Sequence, residues 1–111
     1  MTDPGATPTV VLLLGLRAAV IDDVKRQLDT PGIRLLGGTG IDDVRSAFAA
    51  TRIDHVIMGA GLDLETRLLN IREIFATSDT TTVHMKDRAS GPDGFLPFIR
   101  SVLHSLEDCK P

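Results

Sequence analysis

The chain has 111 residues, 42% of them hydrophobic and 24% charged, and its 15 acidic against 12 basic side chains leave a formal charge of −3. That is the composition of one ordinary globular domain, and the acidic balance lacks the basic stripe of a general nucleic-acid binder. With no Trp, no Tyr and four Phe, the stacking platforms of single-strand binders are missing as well, so no nucleic-acid partner is expected.

Residues 1–8 are polar, punctuated by Pro and Gly, and read as a flexible tail ahead of a single domain over 9–108. No positively charged start or signal-like apolar stretch is present, and the apolar run Val10–Leu14 is too short to span a bilayer. No membrane partner is expected. The same run is continuous and ends at Gly15, the pattern of a strand buried on both faces of a parallel sheet. After it, Val20, Val24 and Leu28 form one helical stripe, stopped by Pro31-Gly32. Ile33–Leu36 is a weaker strand closed by Gly37-Gly38-Thr39-Gly40, and a short helix follows with Ile41, Val44 and Phe48 on one face. Ile21-Asp22-Asp23-Val24 and Ile41-Asp42-Asp43-Val44 look like a repeat. The first lies inside a helix and the second opens one, so they are two uses of one amphipathic pattern.

His55–Met58 is the third strand, ending at Gly59-Ala60-Gly61, and Asp63 is a good N-cap for the third helix. That helix carries Leu64, Leu68, Ile71 and Phe75 at helical spacing, which predicts that this stripe faces the core. Thr81–Met85 is the fourth strand. Ser90-Gly91-Pro92-Asp93 resembles a capping box, although Pro97 moves the start of the regular helix toward Gly94. Phe95, Ile99, Val102 and Leu106 then share one face. Cys109, the only cysteine, excludes an internal disulfide and indicates a reducing, cytoplasmic setting.

Four strand–helix alternations predict a three-layer, flavodoxin-like/Rossmann-like α/β fold. Right-handed crossovers favour a four-stranded parallel sheet of order 2-1-3-4, with helices one and four on one face and two and three on the other. Ligands of such sheets bind beyond the carboxyl ends of the strands, at the switch point between strands one and three. The candidate site is therefore Gly59, Ala60 and Gly61 with Lys86, Arg88 and Ser90, an arrangement suited to a small anionic ligand of phosphate or nucleotide type. Gly59-Ala60-Gly61 matches only two glycines of a dinucleotide fingerprint, and Gly37–Gly40 lacks the Lys-Ser/Thr of a P-loop. No catalytic residue is assigned, since no Gly-x-Ser-x-Gly elbow is present. His55, His84 and His104 share no metal-ligand spacing, so neither a metal nor a cofactor is expected.

The order of elements and the segment Asp54-His55-Val56-Ile57-Met58-Gly59 resemble the receiver domains of two-component response regulators, over roughly residues 9–108. That family carries an acidic pair after its first strand, a phosphoacceptor Asp at the end of its third and a Lys after its fifth. Here Gly15-Leu16-Arg17 and Gly59 stand at the first two places, and Lys86 matches the last if the fourth strand takes the place of the family's fifth. The resemblance implies a degenerate, non-phosphorylated receiver-like module. Cobalamin-binding domains share the architecture, but their Asp-x-His-x-x-Gly signature is absent after the first strand. Function is thus expected to be regulatory or interactive rather than catalytic, with a homodimer or another protein held through the last helix, at Phe98, or through the fourth strand. The alternative is a small anion binder or small enzyme built on the loops after strands three and four.

Overall fold

A computed structural model describes residues 8–28, 31–59, 61–86 and 95–108. Residues 1–7 of the predicted 1–8 tail, the capping box Ser90–Asp93, Cys109 and the site candidates Ala60, Arg88 and Ser90 lie outside the described residues, as do the side chains of Phe95 and Leu106.

Strand β1 (Thr9–Leu14) is followed by α1 (Ala18–Gln27), β2 (Ile33–Gly38), α2 (Ile41–Ala50), β3 (His55–Met58), α3 (Leu64–Thr77), β4 (Thr82–Met85) and α4 (Phe95–Asp108). The strands form one all-parallel sheet of order β2-β1-β3-β4. This is the three-layer α/β arrangement that the strand–helix alternation predicts. The position of β1 follows from its composition. Val10 through Leu14 present aliphatic side chains to both faces, and each is at most 3% exposed, which only a central strand permits.

Alternation along β1 divides the core in two. Val11 and Leu13 point to one face, where they meet Ile57 of β3, Ile21, Val24 and Leu28 of the α1 segment, and Ile99, Val102 and Leu103 of α4. Val10, Leu12 and Leu14 point to the other and meet Val56, Met58, Val44 of α2, Ile53, Leu62 and Ile74 of α3. Pro97 is the third residue of α4, in the first turn, where its missing N–H costs no helical hydrogen bond. The turn between α1 and β2 uses Gly32 at φ 81°, a conformation that a Cβ would strain. At Gly37 a Cβ would collide with the Ile21 side chain, so the glycine lets α1 lie directly on β2.

Two helices are rotated from their expected seats. In α1 Ile21 joins Val24 on the inward face in place of Val20, which is 45% exposed. The change is larger in α3. Its buried residues are Arg67, Asn70 and Ile74, whereas Leu64, Leu68 and Phe75 of the predicted core stripe are exposed and Ile71 is half-buried. The loop before α3 sets this phase. Leu62 is buried at 3% exposure, and Asp63 caps the helix by accepting from the Thr66 amide at 2.8 Å. The Arg67 guanidinium then folds back on the loop, donating from Nε to the Leu62 carbonyl at 2.9 Å and from a terminal nitrogen to the Gly59 carbonyl at 3.1 Å. Two backbone acceptors that would otherwise be buried without partners are thereby satisfied, and the helix is locked with Arg67 inward.

Candidate functional site

At the carboxyl edge of the sheet the ladder continues one residue beyond β1, β3 and β4. The Gly15 amide donates to the Gly38 carbonyl at 3.2 Å, Gly59 to Leu14 at 2.9 Å and Lys86 to Met58 at 2.9 Å. Gly59 and Lys86 therefore lie on neighbouring strand ends at this edge. Lys86, however, is 2% exposed, so its side chain is not open to solvent at this edge. Across the switch point Leu16 leans over Gly61, so closely that a Cβ on that glycine would lie 3.0 Å from the Leu16 Cβ. The crevice between the β1 and β3 loops is thus narrowed by the protein's own side chain.

Helix N-termini beside such an edge favour anions, because their first amides are unpaired and the helix dipole is positive there. In this chain two of them already hold a carboxylate. Asp43 of α2 reaches back so that its Oδ2 accepts from the Thr39 amide at 2.8 Å. At α3 the carboxylate is the N-cap itself, Asp63, whose Oδ1 accepts from the Thr66 amide at 2.8 Å. An incoming phosphate would have to displace, or sit beside, a resident negative charge at either place. The carboxylate that flanks β3, Asp54, stands at the opposite, amino end of the strand. There it accepts from the Val10 amide at 2.9 Å and pairs with Arg52 at 3.1 Å. Among the described residues no three His, Cys, Asp or Glu side chains cluster so as to hold a metal ion.

The histidines are brought together as a pair. His55 and His84 sit diagonally across β3 and β4, with ring centroids 5.6 Å apart and planes inclined at 48°. Strand alternation puts both on the α1/α4 face, since His55 shares the side of Ile57 and His84 lies opposite to Val83. Nδ1 of His55 and Nε2 of His84 are buried and have no hydrogen-bond partner among the described residues. Burial lowers the pKa of both. Asp54 partly offsets the effect at His55, and the proximity of His55 adds to it at His84.

The most conspicuous surface lies elsewhere, on α3. Leu64, Leu68, Leu69 and Phe75 are 66, 54, 59 and 51% exposed. Glu65, Leu68, Leu69 and Arg72 surround a shallow depression of about 270 Å³ on that face. The expected interaction residue, Phe98, is instead half-buried and packed against the core beneath α4. Sequence periodicity detects the α3 stripe and assigns it to the core. Arg67, the residue that turns it outward, leaves no periodic signal because it is charged.

No helix among the described residues is long and apolar enough to cross a membrane. No protein-family model, no curated protein and no solved structure gives a significant match to the chain, so the reading of its function rests on the geometry above.

Proposed function

We propose that the protein is a non-catalytic, receiver-like regulatory module that works by protein–protein interaction, through the outer face of α3. The observation that carries this reading is the row of four large apolar side chains, each more than half exposed, on one helix. Large apolar side chains are seldom left exposed in such number on one helix unless something docks there. Supporting it, the positions where an anion binder would place its ligand are taken by Asp43 and Asp63, and Lys86 is buried. These features weigh against the small-ligand alternative.

A photo-crosslinking amino acid at Leu69 tests the reading in living cells, with the same probe at Ser46, an exposed position on α2, as the control. Discrete protein adducts from position 69 and none from 46 support it. Equal labelling at both positions, or none at either, overturns it.

A further inference from the structure

We infer that the occupant of the α3 face is a second copy of this chain, packed with the two α3 helices antiparallel about a two-fold axis, an inference that rests on the interaction reading above. The argument comes from where the charges lie. Arg67, Asn70 and Ile74 face inward. At about 100° per residue, Glu65 and Arg72 therefore lie along the crest of the outward face, with Leu68 and Leu69 on its two flanks. Glu65 and Arg72 are exposed, and neither has an ion-pair partner among the described residues. They are equidistant from the midpoint between Leu68 and Leu69.

A two-fold axis through that midpoint, perpendicular to the helix, reverses the direction of the second α3. It sets Glu65 of each copy against Arg72 of the other, twice. It also sets Leu68 against Leu68 and Leu69 against Leu69, and brings Leu64 of one copy near Phe75 of the other. The face is thus its own complement, as a symmetric dimer interface must be. Parallel packing about the same midpoint would oppose Glu65 to Glu65 and Arg72 to Arg72, which like-charge repulsion disfavours. The depression bounded by these four residues gives the opposing leucines a place to seat.

Sedimentation of the full chain over a concentration series, with Glu65→Arg, Arg72→Glu and the double exchange, tests the inference. A wild-type dimer is expected. Each single change should weaken it by about tenfold or more, and the double exchange should restore it to within about threefold. A second measurement uses Leu69→Cys in a Cys109→Ser background. Antiparallel pairing puts this position against itself, so an intermolecular disulfide should form readily. Glu65→Cys in the same background should not crosslink, because the paired positions stand about 10 Å apart along the helix.

A wild-type chain that stays monomeric to about millimolar concentration, a weak limit for any specific association, overturns the self-pairing. Adducts to a different protein at position 69 would still sustain the interaction reading. A dimer that charge exchange does not rescue, and that Glu65→Cys locks as readily as Leu69→Cys, overturns the antiparallel register.

Discussion

Helices α3 and α4 are both 14 residues long and pack on opposite faces of the same sheet, yet they are seated by different physics. Helix α4 is held by aliphatic burial, with Ile99, Val102 and Leu103 pressed onto Leu13 and Ile57. Helix α3 turns Arg67, Asn70 and Ile74 inward and is held largely by directional contacts, the guanidinium clasp on Gly59 and Leu62 and the Asp63 cap. The price is visible at Asn70, whose Nδ2 donates to the Thr66 carbonyl at 3.0 Å while its buried Oδ1 has no partner among the described residues. The difference teaches that an apolar stripe shows a helix has somewhere to dock without showing where. A helix spends its stripe on its own core when nothing else fixes its rotation, and keeps it for another surface when polar contacts do.

The contrast can be broken by mutation. Ile99→Ala, at a fully buried position of α4, should cost about 2–5 kcal/mol of unfolding free energy in urea titrations, through lost transfer energy and the cavity left behind. A cost under 1 kcal/mol would mean that α4 is not seated by burial. Arg67→Ala should cost about 1–3 kcal/mol, because it strips partners from two carbonyls at the root of α3. Faster amide exchange in residues 59–66 should accompany it, and an unchanged exchange pattern would remove the clasp from the account. Asp63→Ala should cost about 1 kcal/mol, the ordinary effect of losing an N-cap, and should fray the first turn of α3 alone.

The histidine pair sharpens the same comparison through pH. Both imidazoles have folded-state pKa values below their ordinary 6.5, so the unfolded chain binds more protons as the pH falls. Their contribution to stability is therefore complete above about pH 6.5 and is lost progressively below it. Replacing both with Gln should flatten the stability profile in that acid range. A profile that keeps its slope would show that other groups set it. The smallest effect belongs to Leu68→Ala. In dilute monomer it should change stability by no more than about 0.5 kcal/mol, because the side chain is 54% exposed. A loss as large as that of Ile99→Ala would place the stripe in a core after all.

The sheet was legible because β1 is unambiguous. Five consecutive aliphatic residues can be satisfied only at the centre of a parallel sheet, and once they are there the crossover rule orders the remaining strands. Ile99 and Val102 were legible for a similar reason, since nothing on α4 competes with its aliphatic face. The rotation of α3 was not, because it is decided by one guanidinium reaching back five and eight residues to backbone carbonyls, and side-chain periodicity carries no record of backbone acceptors. The same blindness affected the candidate site. Glycines at strand ends mark where the backbone leaves room for a ligand, but whether a resident carboxylate or a neighbouring leucine already fills that space, as Asp43, Asp63 and Leu16 do here, depends on contacts that only the folded chain brings about.

The clasp has a further consequence, which concerns the order in which the molecule gives way. A guanidinium keeps its proton under all ordinary conditions, so the Arg67 contacts with Gly59 and Leu62 are indifferent to acid. The two imidazoles lie on the other side of the sheet, beneath the layer of α1 and α4, and are sensitive to it. Mild acidification therefore loads one layer of the sandwich and spares the other. The domain has a built-in weak side, and the outer surface of α3 stands on the strong one.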